Sequence, residues 1–465
     1  MSRRSLFACL VALGAAGALA APAAAAPVNL GTIRIDGAAA GDRAGFSVAP
    51  AGDVNGDGER DVIVGAPGVG PNGNGTSAGA AFVVFGPFKR QEGSVIDLAN
   101  LGARGFEIHG SGSQMAGQTV AAAGDVNGDG LADVIVGAPG TGRAYVVFGS
   151  RTPHDVQLSS LGSAGITLRG QRSQGFARQV AGVGDINRDG LADVAITAPG
   201  AHRTRGRAYV VYGRRTGGTV RMGRLGGRGF RIGYGAPGRM TAVAGIGDWN
   251  GDGRNDVAVL DSSARGQRGA VYIVYGRRYR TPVNVRRLGR NGVTITGPRQ
   301  RRQLVNATLA AGANYTGNGQ DDLFIGAPRA QTTGTIWVVT DGSRQPVDLA
   351  NPGSRAWPAL VGRPGWAVGS SLSSGFVNAD RRTDIITTGG GQAGVLQASD
   401  WRTRVGLDAI PTGRGFLAAG PGNFTSVAGI GDVDHDNCDD LLAGAPSASN
   451  NGRANSGSAY LMIAP

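Results

Sequence analysis

The stretch Gly124–Pro139, GDVNGDGLADVIVGAP, decides the fold. Asp125, Asn127, Asp129 and Asp133 stand at positions one, three, five and nine of a tight loop, with Gly130 at position six. Alternating oxygen-bearing side chains turned inward suit a hard cation, and a glycine permits the sharp turn. The backbone carbonyl at position seven, here Leu131, supplies a further oxygen. This is the front of a calcium loop. A helical calcium hand would close with Glu at position twelve, but that position is Val136, inside a short β-branched run stopped by Gly137-Ala138-Pro139. The run reads as a buried strand, so the loop joins two strands and is closed early by Asp133.

The stretch recurs, which matters more than any single copy. Intact copies hold Asp53, Asn55, Asp57, Glu59 and Asp61, then Asp185, Asn187, Asp189, Leu191 and Asp193, then Asp248, Asn250, Asp252, Arg254 and Asp256. A fifth holds Asp432, Asp434, Asp436, Cys438 and Asp440, with Asn437 in place of the turn glycine. Asn tolerates left-handed backbone angles, so this loop remains competent. In every copy the seventh residue enters through its backbone carbonyl. Two further copies have decayed: one keeps Asn314, Thr316, Asn318 and Asp322, the other Asn378, Asp380 and Asp384 with Phe376 at the first position. The starts at 53, 125, 185, 248, 314, 376 and 432 are spaced by about 63 residues.

Within a unit the signals are regular. In the second, Gln118 to Ala123 precedes the loop as a first strand and Val134 to Val136 follows it. Gly142 to Gly149 (GRAYVVFG) and Gly165 to Gly170 (GITLRG) supply a third and a fourth. No segment shows a sustained helical period. Four short antiparallel strands per unit, seven times over, predict an all-β fold, a seven-bladed β-propeller. The last unit stops at Ile463 after its third strand, while Thr32-Ile33-Arg34-Ile35-Asp36-Gly37 looks like a fourth strand without a blade. Lending that strand to the last blade closes the ring and spares two exposed edges. Ile33 and Ile35 are therefore expected to pair with the strand around Tyr460 to Ile463.

Residues 1–26 read as an export peptide, leaving 27–465 as the propeller. Arg3 and Arg4 precede an apolar run from Leu6 to Leu19, and small residues follow. Ser2-Arg3-Arg4-Ser5-Leu6-Phe7 suits either general secretion or the twin-arginine route. The expected location is secreted or cell-surface, with no membrane span. Beyond the leader Cys438 is the only cysteine, so no internal disulfide is possible. It is either a free reactive thiol or a plain loop residue. The formal charge is +13, or +11 without Arg3 and Arg4, and Lys89 is the only lysine. This Arg-for-Lys bias points to a high-G+C genome before it points to a function.

With Gly45-Phe46, the Asp-rich loops, and Gly65-Ala66-Pro67, Gly137-Ala138-Pro139, Gly326-Ala327-Pro328 and Gly444-Ala445-Pro446, the chain resembles FG-GAP repeat proteins, including the N-terminal propeller of integrin alpha subunits. The resemblance implies Ca2+ in about five loops on one face of a disc and a partner on the other. The implied ligands are the loop residues named above. Thr197-Ala198-Pro199, Leu260-Asp261-Ser262 and Thr388-Gly389-Gly390 depart from the Gly-Ala-Pro pattern.

The function expected is a non-catalytic adhesion or ligand-binding module for an extracellular protein or glycan. The alternative is an extracellular hydrolase, lyase or lectin acting on polysaccharide at the propeller mouth. His109, His154, His202 and His435 are scattered, with no zinc-ligand spacing. There is no Gly-x-Ser-x-Gly elbow and no phosphate loop. Two loops opposite the calcium face are candidate binding rims: Pro67 to Gly79, with Asn72, Asn74 and Thr76, and Pro446 to Gly457, with Asn450, Asn451 and Asn455. A second surface is the basic run Arg277, Arg278, Arg280, Arg286, Arg287, Arg290, Arg299, Arg301 and Arg302, near Tyr275 and Tyr279, suited to an anionic cell-wall polymer. It carries no nucleic-acid motif, so no nucleic acid is expected.

Overall fold

The computed structural model describes residues 31–70, 77–88, 93–200, 206–233, 238–278, 281–340, 344–378, 380–399, 402–418 and 423–464. The export peptide, Asn72, Asn74, Thr76, Lys89, His202, Tyr279 and Arg280 lie outside them. Seven small sheets make a seven-bladed propeller, each blade containing four antiparallel strands in sequence order from the axis outward. In the second blade these are Thr119–Gly124, Asp133–Ala138, Arg143–Val147 and Gly165–Arg169. The second strand thus starts on the ninth-position aspartate itself. Among the described residues helical structure amounts to short 3-10 turns and one four-residue segment, Ala264–Gln267, in which Arg265 and Gly266 are left-handed. Among the described residues no helix is long and apolar enough to cross a membrane.

The core is not one mass but seven wedges, each filled by the facing strands of two neighbouring blades. Val134, Val136 and Tyr145 of the second blade meet Ile63, Val83 and Phe106 of the first, and the same pairing recurs around the ring. First strands converge on the axis, which is why they consist largely of small residues. A Cβ on Gly182 would sit 2.5 Å from the Ala122 carbonyl oxygen, and one on Gly429 would sit 2.2 Å from that of Ser374.

The ring closes as expected. Gly31–Asp36 is the fourth strand of the last blade, with Ile33 opposite Leu461 and Ile35 opposite Ala459. Both isoleucines are buried in the wedge between blades seven and one. A side-chain lock reinforces the seam. The buried Asp36 carboxylate accepts hydrogen bonds from Arg34 Nε (2.7 Å), Ser458 Oγ (2.9 Å) and Asn451 Nδ2 (2.9 Å). Arg453 donates to both oxygens of Asp97 (2.6 and 3.0 Å) and to the Gly37 carbonyl.

Five of the seven sheets carry a fifth strand that the four-strand repeat does not predict. It is a strap from the following blade, lying in sequence between that blade's third and fourth strands and running parallel to the outer strand it covers. The register repeats: Ile35 faces Ile96, Ile108 faces Val156, Leu168 faces Val220, Ile295 faces Val347 and Leu360 faces Val405. In the third blade the strap is reduced to a single bridge, Ile232 to Val283. Two residues further on, Leu98, Leu158, Met222, Val285, Leu349 and Leu407 are buried. The strap thus covers a sheet edge and fastens neighbours together.

Candidate metal centre

The seven loops all leave the first strand of a blade and so share one face of the disc. Each is preorganised by its own carboxylates. In the second blade Asp125 Oδ1 accepts from the Gly128 and Asp129 amides (2.6 and 3.2 Å) and Oδ2 from that of Gly130 (2.9 Å), bending the chain around the first position. Asp129 Oδ1 accepts from the Leu131 amide at 2.9 Å. Among the described residues the sixth-residue bond recurs on Asp53, Asp185, Asp248 and Asp432, and the seventh-residue bond on Asp57, Asp189, Asp252 and Asp436, whereas the fourth-residue bond recurs only on Asp53 and Asp432. The sixth residue needs a positive φ, +87° at Gly130, and Asn437 adopts +74° in the glycine's place.

The ninth-position aspartate does more than close the loop. Asp133 is fully buried, its Oδ2 accepting from the Val126 amide and its Oδ1 from that of Gly149, both at 2.8 Å. It therefore clamps the loop to the end of the third strand. Asp61, Asp193 and Asp440 repeat both bonds, and Asp256 repeats the one to the third strand through Gly276. This explains why the decayed sixth loop keeps Asp384, which accepts from Val377 and Ala398, and why the fifth keeps Asp322, which accepts from Thr316. Burial pushes the carboxyls of Asp61, Asp133, Asp256, Asp384 and Asp440 up to about 7 and that of Asp193 to about 8. The amide bonds oppose this rise and nearby carboxylates reinforce it.

The oxygen donors of these loops are of the kind a hard cation takes, and among the described residues one loop gathers three carboxylates: Asp432, Asp434 and Asp440 each place an oxygen within 4.8 Å of the others. A carboxylate oxygen that accepts one amide hydrogen keeps a lone pair for a metal. The seventh-position side chains of Leu131, Leu191 and Cys438 are buried, leaving their backbone as the group a cation would use. Cys438 packs in the apolar wedge between blades six and seven. In the sixth loop Phe376 is an exposed hydrophobe whose amide donates to Asp439 Oδ2 of the next blade (2.8 Å), so a first-position carboxylate is missing there.

Adjacent loops are linked. The Ala132 amide bonds the Asp53 carbonyl and that of Ala192 bonds the Asp125 carbonyl, both at 2.9 Å. Across the closing seam His435 Nε2 lies 2.9 Å from Glu59 Oε2, so the imidazole bridges two loops instead of only facing solvent.

On the opposite face the first strands surround an axial mouth of about 640 Å³. Ser47, Thr119, Gln179, Thr308, Ser371 and Ser426 ring it, and most of them stitch one blade to the next. Ser47 Oγ accepts from the Val120 amide and Gln179 Oε1 from that of Val243. Ser371 Oγ accepts from the Val427 amide, and Ser426 Oγ donates to the Gly45 carbonyl.

The proposed binding surfaces are redistributed. Asn450 donates to Ser458 and Asn451 to Asp36, so two of the three rim amides on the last blade serve the closing seam. The arginine run is divided over three regions. Arg277 stacks on Phe230 and Arg278 donates to the Asn187 carbonyl on the face of the Asp-rich loops. Arg286, Arg287 and Arg290 lie on the outer strap, and Arg299, Arg301 and Arg302 lie on the opposite face. Tyr275 is buried.

Comparison with known proteins agrees with this architecture. Residues 44–84, 116–147, 176–212, 305–339 and 424–462 match the FG-GAP repeat family, one segment in each of blades one, two, three, five and seven. The two blades outside these segments are those with Leu260-Asp261-Ser262 and Thr388-Gly389-Gly390 in place of Gly-Ala-Pro. The chain is 36% identical over 152 residues to integrin alpha-4 of Xenopus laevis (31% of this chain, 14% of that protein). It is 38% identical over 122 residues to human integrin alpha-IIb (23% and 11%). It is 35% identical over 113 residues to phosphatidylinositol-glycan-specific phospholipase D of Rattus norvegicus (21% and 13%). It therefore spans less than a sixth of the length of each of these relatives. With five FG-GAP repeats matched in a closed ring of seven blades, the chain is a seven-bladed β-propeller that carries FG-GAP repeats and is similar in sequence to integrin alpha chains.

Proposed function

We propose that this chain is an exported, calcium-braced propeller that binds an extracellular protein or glycan on the face opposite its Asp-rich loops. The observation that carries the reading is the separation of the two faces. Five loops with complete oxygen-donor sets crowd one side, and a polar mouth opens on the other. The cation would be held by the side chains of positions one, three, five and nine and the carbonyl of position seven. Its chemistry is charge neutralisation, because loop carboxylates gathered this closely repel one another without it. The mouth is lined by hydroxyls, amides and arginine, groups that recognise polar ligands. This supports binding over turnover, and the phospholipase match, covering 13% of that protein, brings no activity with it.

A protein and glycan array probed in 2 mM calcium and again in chelator tests the proposal. Ligand capture that depends on calcium is expected. An array with no bound feature, or capture unaffected by replacing the fifth-position aspartates, would overturn it.

A further inference from the structure

A blade that departs from the Gly-Ala-Pro pattern borders a second cavity. In blades one to three the turn after Ala-Pro is closed by backbone contact, as where the Gly140 amide bonds the Gln114 carbonyl at 3.0 Å. In blade four the corresponding turn is held by a side chain. Asp261, buried in place of the alanine, accepts through Oδ1 from the Arg239 amide (2.9 Å) and from the amide and hydroxyl of Ser263 (2.9 and 2.8 Å). Beside it lies a cavity of about 680 Å³ between blades four and five.

Three arginines from three separate segments line it: Arg239, Arg302 and Arg329. All three are exposed. Elsewhere Arg34, Arg268, Arg363 and Arg453 are paired with Asp36, Asp348, Asp408 and Asp97. Among the described residues, none of the three cavity arginines pairs with a carboxylate. Among the described residues the Arg302 guanidinium donates to the neutral Gln267 Oε1, at 3.3 Å. Thr241 Oγ1 is buried in the same wall with no hydrogen-bond partner among the described residues. Asp261, next to the lining residue Ser262, already accepts three hydrogen bonds from Arg239 and Ser263 of the wall. The cavity shares Arg239, Thr241 and Asn306 with the axial mouth, so a path of donors and acceptors runs from the arginines to the hydroxyl ring.

We propose that this cavity binds an anionic oligosaccharide, its uronate carboxylates on Arg239, Arg302 and Arg329 and its hydroxyls along the polar path to the axis. Planar guanidinium groups engage a carboxylate through two parallel hydrogen bonds. Among the described residues the wall offers a single aliphatic side chain, Val305, so an acidic peptide finds no apolar anchor pocket there. This inference rests on the ligand-binding reading of this face and names its ligand class.

The test is calorimetric titration of the full chain in 1 mM calcium and 150 mM NaCl with tetragalacturonate, maltotetraose and tetraglutamate. Tetragalacturonate is expected to bind, with affinity at least tenfold lower in R239Q/R329Q and within twofold of the parent in R286Q/R290Q, which removes the same charge from the strap. Circular dichroism melts of both variants confirm that each is folded. Equal losses in the two double variants would reduce the effect to diffuse charge and overturn the site. So would maltotetraose or tetraglutamate binding as tightly as the uronate. A parent that ignores tetragalacturonate yet captures another ligand on the array in calcium sinks this inference alone. Failure on both counts sinks the binding module with it.

Discussion

Chelating calcium should lower the melting temperature of the parent chain by about 5 °C, and the loop aspartates are expected to carry the effect. Extracellular calcium modules bind at roughly 0.1 to 1 mM. At 2 mM calcium and a Kd of about 0.5 mM, each occupied loop adds about 1 kcal/mol, so five loops add about 5 kcal/mol. A chain of this length has an unfolding entropy of about 0.9 kcal/mol/K, which converts that sum to a shift of about 5 °C. The informative variant is Asp57→Asn, Asp129→Asn, Asp189→Asn, Asp252→Asn and Asp436→Asn combined. Each of these carboxylates uses Oδ1 to accept the amide of residue seven, a bond that Asn Oδ1 retains. The charge goes and the seventh-residue turn bond stays, while the Asn55 and Asn127 Nδ2 bonds to Oδ2 of Asp57 and Asp129 are given up. The ninth position would be the wrong choice, because Asp133→Asn also disturbs a buried clamp. Calorimetry should show the fivefold variant melting, in calcium, where the parent melts in chelator. A parent Tm that ignores the chelator, or a variant that still gains several degrees from calcium, would refute the reasoning.

Three further expectations concern the framework. In chelator, stability should fall as pH rises from about 4 to about 7 or 8. The ninth-position carboxyls are raised above their unfolded value, so the folded chain holds protons the unfolded chain has lost across that window. Calcium, which binds the ionised form, should flatten the slope, and a metal-free Tm that climbs with pH would contradict this. Ile35→Ala, at a fully buried side chain in the closing seam, should cost about 2 to 5 kcal/mol in urea unfolding without changing the m-value. A loss below about 1 kcal/mol would mean that the seam contributes little. Cys438 should react with a thiol reagent only after unfolding, since it is 2% exposed, and immediate labelling of the native protein would place it elsewhere.

The blade count, the loops and the closure were legible because each rests on local chemistry repeated at a fixed interval. Asp and Asn at alternate positions shape a turn by themselves, and an unpaired strand at one end of the chain answers a deficit at the other. The straps were harder to see. Each is two to four residues, lacks punctuation by proline or glycine on both sides, and pairs with a strand from a different unit. Its signal is an apolar residue, any residue, then another apolar residue, as in Val156-Gln157-Leu158 and Val347-Asp348-Leu349. The same pattern stands at Val28-Asn29-Leu30, outside the described residues. The arginine run misled because it is contiguous only in sequence. Connections from strand three to four and from strand four to one emerge on opposite faces, so Arg278 and Arg302 part company. The closing role of the last blade's asparagines was hidden for a related reason: Asn450 and Asn451 meet Ser458 and Asp36 only once the ring is closed.

The straps also bear on how such a ring can be cut and recombined. A contiguous segment that carries one complete blade necessarily carries the grip on its upstream neighbour, because that grip is encoded between its own third and fourth strands. The downstream contact travels with the next segment. A transplanted blade would therefore arrive with its attachment to one side already written and depend on its host for the other. Exchanges between homologous rings should succeed or fail according to the outer strand of the upstream blade.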